Sequence, residues 1–215
     1  MTQYRRLVRG YKSMRTSIRL IVVLFLCSVT MVRAQSSYQA VPGSKLWFDG
    51  SSTVNTFSCS TVQVNGTALF EKDTPAVFVE IAVRTLNCGN DGMNDDMFHA
   101  MKTNEYPLIQ YVLRSTGNAS VNPQSGEIHV VTSGDLTIAG SSESVEIPIS
   151  IMPLGGGRYR VRGTKPLSMH EFHITPPSAF FGLIQAHDLL IVSFDIIVEK
   201  SLNGKLEFMT KAGGR

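Results

Sequence analysis

Apolar residues recur at every second position in five stretches of this chain, and that period limits what it can fold into. Val77, Val79, Ile81 and Val83 alternate with Phe78, Glu80, Ala82 and Arg84. Ile109, Tyr111 and Leu113 alternate with Gln110, Val112 and Arg114. Ile128, Val130, Thr132, Leu136 and Ile138 follow the same rule, as do Val145, Ile147, Ile149 and Ile151, and then Leu190, Val192, Phe194, Ile196 and Val198. A period of two sends successive side chains to opposite faces of an extended chain, so each stretch reads as a strand buried on one side. Turn residues separate the stretches: Asn65-Gly66, Pro123 to Gly126, Gly155-Gly156-Gly157 and Pro176-Pro177. Short strands at near-regular spacing describe an antiparallel sandwich or barrel. A closed sheet of about eight strands either encloses one small ligand or fills with side chains, and periodicity alone does not separate the two.

One segment departs from the pattern. In Asp91–Asn104 the apolar residues Met93, Met97, Phe98 and Met101 fall at helical spacing. Asp91 or Asn94 would cap this helix, Asp95 and Asp96 would suit its positive N-terminal end, and Pro107 would stop its continuation. A lone helix in a β protein covers one end of the sheet, and its methionines either seal the core or offer a ligand an adaptable surface.

Charge is uneven along the chain. The whole carries a formal +3 over 215 residues. Arg5, Arg6, Arg9, Lys12, Arg15, Arg19 and Arg33 all lie in residues 1–34, which hold no acidic group, so residues 35–215 are net acidic. A nucleic-acid footprint is therefore missing from the folded part. Residues 20–32 form an uncharged apolar run between that basic stretch and Val32-Arg33-Ala34, the parts of a secretory signal peptide cleaved near Ala34. The run is short of the ~20 residues of a membrane span, the alternative being an uncleaved anchor. Translation starts at Met1 or at Met14. The expected organisation is a signal over 1–34, a β domain over 35–200 and a flexible tail over 201–215, with the mature protein periplasmic or secreted.

Export bears on the cysteines. Cleavage leaves Cys59 and Cys88, and an even pair in an oxidising compartment reads as a disulfide. Closing a loop of about 30 residues is worth about 3.5 kcal/mol in the chain-entropy account. A redox or metal pair is the alternative, but no C-x-x-C and no third soft ligand is nearby.

Catalytic signatures are scarce: no G-x-S-x-G, no H-E-x-x-H, no phosphate-cradling glycine loop and no dinucleotide fingerprint. His170-Glu171-Phe172-His173 is the most suggestive cluster. On a strand its two histidines would face opposite ways, too far apart for one metal, and His187-Asp188 adds one further pair. No catalytic residue, metal or cofactor is expected. Arg158, Arg160 and Arg162 alternate with Tyr159 and Val161, so they share one strand face, either solvated or set against anionic lipid headgroups.

Three stretches resemble the YceI-like family of exported, lipocalin-like lipid-binding proteins. Met93-Asn94-Asp95-Asp96-Met97-Phe98 running to Glu105-Tyr106-Pro107-Leu108-Ile109 is similar to the family's short helix and the strand after it. Gly134-Asp135-Leu136-Thr137-Ile138-Ala139-Gly140, continuing to Val145, is similar to its central hairpin and is the most specific of the three. Leu167 to Asp188 resembles its late segment, and Gly50–Gly66 fits its opening hairpin more loosely, so the likeness spans about residues 44–199. Departures are Phe57-Ser58-Cys59, where many members carry a histidine, Asn94-Asp95 in place of an Arg-Asp pair, and the two cysteines. The resemblance implies an extended antiparallel β-barrel of about eight strands with one short helix, holding an isoprenoid quinone or a fatty-acid derivative. On that implication the tunnel is lined by Val79, Ile81, Ile109, Tyr111, Leu113, Val130, Leu136, Ile147, Ile149, Val192 and Phe194. Phe172, Phe180 and Phe181 would border a portal near Pro176-Pro177. The partner would be an apolar lipid or isoprenoid, with peripheral contact to a membrane and no catalysis; a structural envelope module with a filled core is the alternative.

Overall fold

A computed structural model describes residues 36–70 and 75–201. The expected signal peptide and C-terminal tail lie outside the described residues. Thirteen strands run in chain order among the described residues. They are β1 (Ser36–Ala40), β2 (Lys45–Ser51), β3 (Thr56–Thr61), β4 (Asn65–Phe70), β5 (Ala76–Ala82), β6 (Leu108–Thr116) and β7 (Ser120–Val121). Then follow β8 (Ile128–Ile138), β9 (Ser141–Gly155), β10 (Arg158–Ser168), β11 (Ser178–Ala179), β12 (Ile184–Gln185) and β13 (Leu189–Ser201). The helix α1 (Asp91–Ala100) lies between β5 and β6.

Eight strands close on themselves in the order β1, β4, β5, β6, β8, β9, β10, β13 and back to β1, every neighbouring pair antiparallel. The last strand makes this closure. The first part of β13, Ile191–Asp195, pairs with β2, and its end, Val198–Ser201, pairs with β1. The β2–β3 hairpin therefore flanks β13 outside the ring. It is tied to the segment after β5 by the Ser60–Asn87 bridge and the Cys59–Cys88 disulfide.

Register assigns the faces. Thr132 lies opposite Ile147, Val130 opposite Ile149, Gly163 opposite Phe194 and Val192 opposite Phe48. Partners in a ladder share a face, so the alternating apolar sets merge into one continuous inner surface. The outer rows carry the charges. Arg158 pairs with Glu199 at 3.9 Å, Arg160 and Arg162 both reach Asp195 at 3.2 and 3.0 Å, and Arg114 pairs with Asp135 at 2.5 Å. The three arginines of β10 thus face outward, each facing a carboxylate.

The helix starts one residue before the expected cap. The Asn90 side chain accepts a hydrogen bond from the Met93 amide, which satisfies a free first-turn donor. Asn94 serves elsewhere, accepting from the Cys88 amide at 2.8 Å. Met97 and Met101 lie on the buried side of this segment, four residues apart on one face. The helix ends at Ala100, earlier than Asn104, because the chain passes into turns with Lys102 at φ 50°.

Candidate functional site

The two ends of the barrel differ. In an antiparallel ring, the connections β5 to β6, β8 to β9 and β10 to β13 all leave from one end. That end is plugged. Below α1, Met97 and Met101 pack with Cys59, Val83 and Leu86. Beside them, Met169, Phe172 and Ile174 of the β10–β13 connection pack with Val145, Leu167 and Ala139. Ile138 touches both clusters. The plug is wedged where two strands part: β9 and β10 are paired only from Gly155 with Arg158 to Ile149 with Gly163. Beyond that pair, Pro148 on one strand and Pro166 on the other have no amide to give, so the ladder stops there.

The other end is different in kind. The inward residues Val77, Leu113, Ile128, Val130, Ile149, Ile151, Val161, Ile196 and Val198 are only half-buried. Along β13 the inward side chains Leu190, Val192, Phe194, Ile196 and Val198 all keep accessible surface, whereas the outward Ser193 and Ile197 are buried. Ile197 owes its burial to the turn between β1 and β2, whose Gly43 and Ser44 lie against it. The rim carries aromatic rings: Tyr38 stacks edge-on against Phe70 at 5.5 Å and Tyr159 at 5.7 Å. From Leu190 to Val198 the inner wall extends about 26 Å at roughly 3.3 Å a residue. Two glycines widen it locally. A Cβ on Gly134 would meet the Tyr111 ring at 2.6 Å, and one on Gly163 would meet the Phe194 ring at 2.5 Å, so each ring lies over bare backbone.

The expected lining set comes together. Val79, Ile81, Ile109, Tyr111, Leu113, Val130, Leu136, Ile147, Ile149, Val192 and Phe194 occupy inner positions on β5, β6, β8, β9 and β13. The phenylalanines of the expected portal separate. Phe172 is 2% exposed inside the plug, while Phe181 stands fully exposed at φ 57°. The Phe180 side chain lies outside the described residues.

Polar groups on the inner surface are few. Tyr111 donates to Thr132 Oγ1 at 3.4 Å, and Thr132 donates to the Ile147 carbonyl at 3.0 Å. Burial pushes the Tyr111 phenol above its ordinary value of 10.0, against the lowering pull of the Thr132 bond and with Asp135 adding to the rise. Lys165 is also inward, opposite Val192 and between Gly163 and Leu167. Sequence reasoning missed it, although counting by twos from Val161 to Leu167 places it on the apolar face.

The histidines do not converge. His170 to Phe172 form a tight 3-10 turn and not a strand, because Asp188 folds the chain back. Its carboxylate accepts from Ser168 Oγ at 2.5 Å and the His170 amide at 2.9 Å, and it pairs with His170 Nδ1 at 2.6 Å. The Ser168 bond, foremost, holds this carboxyl below its ordinary 3.8, with the His170 contacts helping and burial opposing. The carboxylate sits between hydroxyl and imidazole, whereas a histidine base would place the imidazole between carboxylate and hydroxyl. His173 meets Ser141 Oγ at 3.1 Å and His187 meets Ser51 Oγ at 2.9 Å, and no carboxylate orients either ring among the described residues. No group of three metal-ligating side chains occurs among the described residues. A groove of about 630 Å³ crosses the outer face past Trp47, His129 and Arg162, with Arg162 and Thr164 held by Asp195 and Ser193.

The family model of the YceI-like domain matches residues 37–198. No curated protein matches the chain. Among solved structures, the chain is similar to a polyisoprenoid binding domain from Saccharophagus degradans, with 14% identity and a TM-score of 0.62 over 78% of this chain and 100% of that one. It is also similar to BcnA of Burkholderia cenocepacia, with 16% identity and a TM-score of 0.56 over 72% of this chain and 96% of that one. The YCEI protein of Campylobacter jejuni gives 14% identity and a TM-score of 0.53 over 66% and 84%. At such identities the likeness is one of fold.

Proposed function

This chain belongs to the YceI-like domain family, and we propose that it is an exported, non-catalytic carrier or scavenger that holds one long apolar lipid inside the barrel. The observation that carries this reading is the wall itself: the inward Leu, Val, Phe and Ile side chains of β13, from Leu190 to Val198, all keep accessible surface. Apolar surface open to water inside a closed sheet is what an acyl or isoprenoid chain would cover, at about 0.8 kcal/mol per methylene buried. The Saccharophagus neighbour, described as polyisoprenoid binding, supports an isoprenoid as one ligand class. The Cys59–Cys88 bond and the basic-then-apolar leader support an oxidising compartment outside the cytoplasm. Tyr38, Tyr159 and Phe70 at the rim suit brief contact with a membrane during exchange.

The test is mass spectrometry of protein purified from a periplasm, native and then after solvent extraction. A stoichiometric apolar compound released only by denaturation is the expected result. Protein that carries no lipid, and takes up none from added isoprenoids and fatty acids, overturns the reading and leaves an envelope module with a filled interior.

A further inference from the structure

The inner rows of the eight ring strands carry three charged side chains: Glu143, Lys165 and Lys200. Lys200 is exposed at the rim. Glu143 sits beside the plug, four residues from Ile147 and so about 13 Å further along β9. Lys165 alone stands within the wall. It faces Val192, with Gly163 and Phe194 on the rim side and Leu167 and Leu190 on the plug side. It is half-buried, and among the described residues it has no ion pair or hydrogen bond.

Its level in the barrel is not otherwise apolar. Ile149 pairs with Gly163 and the two strands part beyond them, so Ile147 and Lys165 stand on either side of that gap, each two residues past the last pair. Ile147 pairs with Thr132, whose hydroxyl receives the Tyr111 phenol. Thr132 and Lys165 are thus separated by β9 and by that gap. The Lys165 side chain and the Tyr111–Thr132 hydroxyl pair are the polar groups that the inner surface offers beside the plug, against whose cluster Tyr111, Ile147 and Val192 pack.

Resting on the lipid reading of the lumen, we infer that Lys165, Thr132 and Tyr111 form a headgroup station for the carboxylate of a long-chain acid, bound head inward with its tail toward the rim. An uncharged lipid would strip water from the Lys165 ammonium and return nothing, at a cost in affinity. A carboxylate returns a charge-assisted hydrogen bond and cancels the charge. A phosphate monoester carries close to two negative charges, more than one lysine balances in an apolar lumen.

Titration of oleic acid, oleyl alcohol and dodecyl phosphate into delipidated wild type, Lys165→Met and Tyr111→Phe tests this. Wild type is expected to prefer the acid over the alcohol by roughly tenfold or more, the scale of one charged hydrogen bond. Lys165→Met should erase that preference by weakening the acid and tightening the alcohol, and the retained alcohol binding also reports that it folds. Tyr111→Phe should reduce the preference by less. Equal binding of acid and alcohol by wild type, a preference that survives Lys165→Met, or tighter binding of the phosphate overturns the headgroup station and leaves lipid binding standing. If none of the three binds to wild type, the lipid reading falls and the station with it.

Discussion

The plugged end and the open half of the barrel are made of the same strands, and they use their inward side chains in opposite ways. Near the plug, Ile81, Val83, Val145, Leu167 and Phe172 are buried by α1 and by the β10–β13 connection. One to two turns of sheet away, Val130, Ile149, Val161 and Ile196 belong to the same rows and stay half-accessible. The difference is not composition, since both sets are aliphatic. It accompanies a difference in the connections: those at the plugged end carry apolar side chains back into the barrel, whereas the β9–β10 turn, one of the connections at the other end, is Gly155-Gly156-Gly157, with no side chain to insert. Stability and binding are thereby assigned to different ends of one sheet.

That division can be broken by measurement. The largest effect belongs to the plug: Phe172→Ala should cost about 3–5 kcal/mol in chemical denaturation, because 2% exposure leaves a cavity that the wedge cannot close. Cys59→Ser with Cys88→Ser should cost about 3.5 kcal/mol through the unfolded chain, read from the same curves. The open half should respond otherwise. Ile149→Ala should cost about 1 kcal/mol, well under a buried site, while loosening any bound lipid. Val161→Trp sharpens the contrast: it should expel the lipid with little loss of stability, and a loss of about 1–3 kcal/mol would mean that the interior is packed and the contrast false. The smallest effect is set by pH. Asp188 has its carboxyl held below the ordinary 3.8, so it contributes stability above that value and loses it as pH falls below. Asp188→Asn should flatten this acid limb of the stability curve without changing stability's dependence on neutral pH.

Much of this was readable from the chain, for a physical reason. The five alternating stretches correspond to β5, β6, β8, β9 and β13, and their parity correctly identifies the inward face, because one-sided burial leaves a period of two. The helix and the disulfide were equally legible, one from spacing and one from an even pair. The strands β1 to β4 were not, since stretches such as Ser36–Ala40 are short and mostly polar, and are strands only because β13 and β4 flank them. The turn at His170 was misread as strand because its cause, Asp188, lies 18 residues away. Lys165 is easily grouped with Arg158, Arg160 and Arg162, yet its odd number sets it on the opposite face of the strand.

The last strand is also the clasp. β13 holds β10 along its length, β2 with its first half and β1 with its end, so two early strands and one late one wait on the last strand of the domain. A chain still being made has every other ladder available and no way to close. Pairings this distant in sequence form slowly. Until β13 pairs, the other strands can form only an open sheet, and its arrival is what turns that sheet into a container.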